Sequence, residues 1–255
     1  MARYQLTLAY DGTDFYGSQR QAKRRTVQGE LEKALGAIGW EGRSILLSGR
    51  TDTGVHATGQ VTSVDLDWSH ADADLVRALN AKLPTDVAVK DARIVRDDFH
   101  PRFDALSRVY RYRLFCQPVR NPIRERFAWR IALALNKQFL VKIADVILGT
   151  HDFSAFGSPT TPKGTTTRNL MKAVWFQTAS DEWQFDVEAD AFLYRMVRKL
   201  VFVQVAVAQG KVSVEDVAQA LAKQGSSTKR SVFPAGLAPA HGLTLVEVKY
   251  GESIL

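Results

Sequence analysis

Cysteine is almost missing from this chain: one residue, Cys116, in 255. A single thiol forms no internal disulfide, and without a Cys-x-x-Cys pair the chain offers no such metal site. Missing too is any apolar run near the roughly 18 residues that a membrane span needs. The first residues, Met-Ala-Arg-Tyr-Gln-Leu, alternate like a strand, so no signal or transit peptide is expected. No tandem repeat is visible. These absences predict a cytoplasmic protein with no membrane span and no internal disulfide. Cys116 lies in an apolar strand candidate and is expected in the core.

With 45% hydrophobic and 24% charged residues, the chain has the composition of a globular enzyme large enough for a sizeable core. The charge is uneven. Net charge is +7 and the isoelectric point about 9.5. Residues 96–130 hold nine arginines and no lysine, against Asp97, Asp98, Asp104 and Glu125. A second cluster, Arg20, Lys23, Arg24 and Arg25, lies in the first long polar stretch. Arginine's planar fork suits phosphates, and basic stripes mark nucleic-acid binding. A solvated face carrying edge charges accounts for the same residues.

The stretch Ser48-Gly49-Arg50-Thr51-Asp52-Thr53-Gly54-Val55-His56-Ala57 organises the rest. It separates two strand candidates, Ile45 to Leu47 and Val61 to Leu66. Gly49 and Gly54 permit sharp bends on either side of a cation and a carboxylate. If residues 50 to 52 are extended, Arg50 and Asp52 point the same way. A guanidinium beside a carboxylate keeps it ionised and oriented. Such an aspartate suits nucleophilic or electrostatic work better than general-base work. A surface turn with a local ion pair is the plainer alternative.

Along the chain, Tyr4, Leu6, Leu8 and Tyr10 alternate as a half-buried strand. Thr26 caps a helix to about Ile38, ended by Gly39. Asp74 to Leu83 reads as a helix stopped by Pro84, and Val87 to Val95 as a strand. Arg108 to Cys116 is a strand in which tyrosines and arginines interleave. Asn136 caps a helix closing at Gly149. His151-Asp152-Phe153-Ser154 puts His, Asp and Ser side by side, but without a nucleophile-elbow context it reads as a cap or turn. Ser158 to Thr167 is a loop, and Met171 to Thr178 with Trp183 to Ala189 a hairpin. A long buried helix is expected from Phe192, a capping box at Ser213 to Asp216 opens another to about Lys223, and Lys223 to Pro239 is loop. Leu243 to Tyr250 closes the chain as a strand. The pattern predicts an α+β fold of two similar lobes, 1–105 and 106–255, with mixed or antiparallel pairing.

Several motifs in order resemble the tRNA pseudouridine synthase A family. They are Asp11-Gly12-Thr13-Asp14-Phe15-Tyr16-Gly17, Thr26-Val27-Gln28, the Gly49 to Ala57 loop and Leu79-Asn80-Ala81-Lys82-Leu83-Pro84. Phe99-His100 with Arg102-Phe103-Asp104-Ala105, Tyr110-Arg111-Tyr112, Gly149 to Phe153, Met196-Val197-Arg198 and Ala238 to Leu243 extend the likeness over nearly the whole chain. The resemblance implies isomerisation of uridine to pseudouridine in tRNA, typically at positions 38, 39 and 40 of the anticodon arm, without cofactor or metal. It implies two lobes around a mixed, mainly antiparallel sheet with a central RNA-binding cleft, in a homodimer that contacts tRNA with both subunits. By the same resemblance Asp52 is the catalytic residue, attacking either the ribose carbon or the uracil ring. Tyr110 stacks on the target base, Arg198 pairs with the catalytic carboxylate, Arg50 flanks it, and Leu243 lines the pocket.

The sequence departs from the family pattern at Thr53 (usually alanine), Ser18 (a common aromatic), Phe202 (frequently glycine) and Val232-Phe233-Pro234. Two other functions remain open. One is a catalytically inactive tRNA-binding module of the same fold. The other is a glycosidase or nuclease, which normally wants a second acid or a metal cluster, and neither is evident near Asp52.

Overall fold

A computed structural model describes residues 1–161, 164–222 and 233–252. In chain order its strands and α-helices begin with β1 (Ala2–Tyr10), α1 (Val27–Gly36), β2 (Leu46–Leu47), β3 (His56–Leu66), α2 (Asp72–Asn80) and β4 (Val87–Ile94). There follow β5 (Ala105–Cys116), β6 (Trp129–Ile131), α3 (Lys137–Val146), β7 (Gly149–Asp152), β8 (Thr167–Gln177) and β9 (Glu182–Ala189). The series ends with α4 (Met196–Ala208), α5 (Val214–Ala222) and β10 (Leu243–Tyr250). The class is α+β, with mixed and mainly antiparallel strand pairing.

The chain forms two compact units. The first comprises residues 1–108 together with 244–255, the second residues 109–243. The boundary therefore falls inside β5, and the last strand belongs with the first unit although its sequence follows the second.

In the first unit the strand order is β4-β1-β3-β10, with β2 also on β3. Strand β1 lies antiparallel to β3 and β4, whereas β10 runs parallel to β3, pairing Thr244 with His56 and Leu245 with Ala57. The alternation expected of β1 buries Tyr4, Leu6, Leu8 and Tyr10. A bulge between Leu8 and Tyr10 shifts the register to β3, twisting the strand where it delivers Tyr10. Helix α1 starts where expected because Thr26 Oγ1 accepts the Gly29 N–H. It buries Val27, Leu31 and Leu35, and α2 packs Leu75 and Leu79 inward beside β4.

In the second unit the order is β5-β9-β8-β7, with β6 parallel to β5. Asn136 caps α3 by accepting the N–H groups of Gln138 and Phe139. Ser213 and Asp216 form a reciprocal box at α5, Oγ accepting one amide and the carboxylate the other. Helix α3 packs against α4, α5 and β8.

Four expectations need correction. Helix α4 begins at Met196, not Phe192: the Tyr194 amide donates to Ser158 O, drawing that stretch into a β-bridge, and Arg195 sits left-handed at φ 63° before the first turn. His151 and Asp152 lie in a strand, β7, although Asp152 also makes a turn by accepting the Ser154 N–H. Cys116, at the end of β5, is half-buried rather than core. Gly49 stays out of the left-handed region that Gly54 occupies at φ 79°. The expected loops at Ser158–Thr167 and Lys223–Pro239 fall partly outside the described residues, as does Val232.

Candidate active site

The Ser48–Ala57 segment leaves β2 and enters β3 at His56. Asp52 is half-buried and Arg50 exposed, with Thr51 between them 7% exposed. Thr51 is the pivot. Its Oγ1 lies 2.9 Å from the Tyr10 hydroxyl, and its amide donates to Ser18 Oγ at 2.9 Å. Its carbonyl accepts the Ser18 N–H at 3.1 Å. Downstream, the Val55 amide donates to Asp52 O at 3.1 Å, closing a tight turn that Gly54 completes. His56 does not face solvent: its Nδ1 accepts the Gly12 N–H at 3.0 Å, next to the Asp11 carboxylate.

Upstream, Gln60 holds the loop's other end. Its Oε1 accepts from Ser48 Oγ at 2.6 Å and its Nε2 donates to Gly49 O at 3.0 Å. Gln60 Nε2 also donates to the Tyr10 oxygen at 3.5 Å, so Gln60, Tyr10 and Thr51 form one buried hydrogen-bonded group. Complete burial lifts the Tyr10 hydroxyl to about 12, keeping it a proton donor throughout the neutral range. Asp52 thus sits in a segment whose neighbours are fixed from both sides by buried bonds. Tyr10, Ser18, Thr51 and Gln60 were not singled out as site residues by the sequence. The bonds that join these four to one another span 33 to 50 positions, a separation no local pattern exposes.

The arginine-rich stretch also carries ion pairs of the fold. Of its nine arginines, Arg96, Arg111, Arg120, Arg124 and Arg130 pair with carboxylates. Arg111 grips the buried Asp186 with two bonds of 2.9 Å, joining β5 to β9. Arg108 donates to the carbonyls of Arg102, Ala105 and Ser48. Much of this charge therefore serves the fold. In the other basic cluster, Arg25 chelates Asp86 at 2.7 and 2.8 Å, while Arg24 lies over the exposed Tyr16 ring at 4.4 Å.

The second unit carries the remaining candidates. Tyr110, on β5, is half-buried with its ring edge-on to Phe192 at 5.2 Å. Arg198 is on α4, where its Nε donates to Ala238 O at 2.8 Å while its own carbonyl accepts the Ala238 N–H. Next along, the buried Tyr112 hydroxyl donates to Pro239 O at 2.8 Å. Lys199 Nζ donates to the carbonyls of Pro234 and Gly236. These bonds fix the segment leading into Leu243, which is 5% exposed. Arg198 is thus bonded to the segment leading into Leu243, in this unit, while Arg50 and Asp52 lie two positions apart on the loop of the first unit. Phe202 stacks on Trp129 at 6.5 Å and Phe233 packs on Phe156 at 5.1 Å, so both departures from the family pattern are absorbed in aromatic contacts. Among the described residues no cluster of three or more His, Cys, Asp or Glu could hold a metal ion, and no helix is long and apolar enough to cross a membrane.

Residues 7–104 and 143–251 match the family model described as tRNA pseudouridine synthase. The chain belongs to that family. Its relatives include proteins named tRNA pseudouridine synthase A from Chloroflexus aurantiacus, 40% identical over 98% of this chain and 89% of theirs. Others are from Solidesulfovibrio magneticus, 41% identical over 98% and 92%, and Shouchella clausii, 38% identical over 100% and 95%. Arg50 and Asp52 lie in the first matched segment of the tRNA pseudouridine synthase model, and Arg198 and Leu243 in the second. Tyr110 falls between the segments, in a stretch that the full-length relatives span.

Proposed function

We propose that this chain isomerises uridine to pseudouridine in tRNA, at positions 38, 39 and 40 of the anticodon arm, with Asp52 as nucleophile. What carries the reading is one observation: a chain that belongs to the tRNA pseudouridine synthase family has an aspartate in a loop braced by buried bonds on both sides. Binding alone has no use for a loop braced so closely around a carboxylate-bearing residue.

The reaction breaks the N1–C1′ bond and makes a C5–C1′ bond. C5 gives up its proton and N1 gains one, so no atoms or redox equivalents enter or leave overall. The nucleotide must first leave its stack, which costs a few kcal/mol. Tyr110 offers an aromatic face, and base stacking on such a face offsets roughly 1–3 kcal/mol. Asp52 then attacks either the ribose carbon, displacing uracil N1, or the uracil ring by addition, and its bond to the nucleotide breaks again before pseudouridine leaves. Arg50 and Arg198 supply positive charge for the reacting carboxylate, and Leu243 an apolar wall. The chain works as a homodimer in the cytoplasm, which sedimentation of the purified protein would test.

Purified protein given tRNA tritiated at uracil C5 should release tritium to solvent and yield pseudouridine. Tight binding without release would instead mark an inactive module, and free uracil or cut RNA a hydrolase. The exposed Arg24 and its neighbours make tRNA affinity depend on phosphate contacts. Affinity should fall at least about tenfold between 50 and 200 mM salt as counterions are released. A flat salt profile would remove the basic surface from the reading.

A further inference from the structure

Ser18 stands where the family commonly has an aromatic, yet it is completely buried and spans the Thr51 peptide with two hydrogen bonds. Its Oγ accepts the Thr51 N–H at 2.9 Å, and its own N–H donates to Thr51 O at 3.1 Å. The next peptide bond leads to Asp52. The approach is close: a Cβ on Gly17, which sits at φ 85°, would meet Thr51 O at 2.8 Å and the Asp52 carbonyl carbon at 3.6 Å. Ser18 is itself held from the other side, since its carbonyl accepts the Gln28 N–H of α1 at 2.9 Å. Helix α1 is thereby connected through Ser18 to the backbone on which Asp52 is mounted.

We propose that Ser18 is a positioning residue, setting the orientation of Asp52 through the Thr51 peptide and transmitting the rigidity of α1 to the catalytic loop. This rests on the reading of Asp52 as the nucleophile. An aromatic ring at this position could fill space, but it could not accept the Thr51 N–H. The serine therefore trades packing for a directed bond. A reacting group moved by about 1 Å can lose on the order of 10²-fold in rate, so a residue that touches no substrate still governs turnover.

The test is Ser18→Ala, followed in two ways. Amide exchange at Thr51, read by NMR on the free protein, should accelerate at least about tenfold when the buried acceptor is lost. Single-turnover isomerisation should slow by roughly 10- to 100-fold, with tRNA affinity within about threefold of the parent. Should Ser18→Ala fail to fold, Ser18→Cys keeps the side-chain shape with a slightly larger, weaker acceptor and is expected to shift both readouts the same way. Unchanged turnover in a folded variant overturns the proposal, as does a loss of affinity equal to the loss of rate. A parent protein that makes no pseudouridine would sink the functional reading instead, leaving Thr51 exchange as the measure of the clamp itself.

Discussion

Replacing Asp52 with asparagine is expected to abolish pseudouridine formation while leaving tRNA binding nearly intact. Asparagine has the same shape, so the Ser18, Tyr10 and Gln60 bonds around the loop, none of which uses the Asp52 side chain, stay in place. What is lost is the nucleophilic oxygen. Deleting a covalent nucleophile costs on the order of 10⁴- to 10⁶-fold in turnover, and tritium release should fall at least that far. Affinity should change by no more than about threefold, because phosphate contacts supply most of the binding. The contrast with Ser18→Ala is informative: the serine variant slows the reaction by tens-fold, whereas the aspartate variant stops it. Normal turnover in Asp52→Asn would remove the nucleophile assignment and with it the role given to Ser18.

Where the chain announced its structure, it did so through local chemistry. Period-two burial along Tyr4 to Tyr10, and side-chain caps at Thr26, Asn136 and Ser213, are decided by residues within a turn of one another. They were legible for that reason. Strand β6 is three residues long and β7 four polar-rich ones, too short to show a period. The start of α4 is set by the bridge from Tyr194 to Ser158, a tertiary contact that overrides the apolar run from Phe192. The place of β10 in the first unit depends on pairing with β3 across most of the chain. At the site, the Arg50–Asp52 loop stood out because charged residues between glycines are unusual beside two apolar strands. Its braces did not, because a buried serine or glutamine looks in sequence like any other. The arginines show the converse: their number was plain in the sequence, but not that Arg111 and Arg124 pair with carboxylates distant in sequence.

Gly59→Ala should cause the largest loss of stability of any single methyl added to the first unit's sheet. A Cβ built there would lie 2.9 Å from the Val246 carbonyl carbon and 3.1 Å from Glu247 Cα, and closer still to the Val246 oxygen. All three atoms are backbone of β10, so no side chain can swing aside. Either β10 moves off β3, breaking the pairing of Thr244 with His56 and Leu245 with Ala57, or β3 distorts next to the candidate catalytic loop. Overpacking usually costs about 1–3 kcal/mol and more where only backbone can yield, so the loss should reach at least about 3 kcal/mol. At about 2–4 °C per kcal/mol for a chain of this length, the unfolding midpoint should drop by roughly 6–12 °C. Gly36→Ala is the matched control, since its Cβ would meet nothing within 4 Å at the end of α1. There the helix gains about 0.5–1 kcal/mol from reduced backbone freedom. Calorimetry on the pair separates the two effects, and a Gly59→Ala midpoint equal to the parent's would mean that β10 does not hold to β3 as closely as these distances require. Because β10 starts at Leu243 and β3 directly after Val55, a displaced β10 should also depress turnover. That links the last strand of the chain to a loop nearly 200 residues before it.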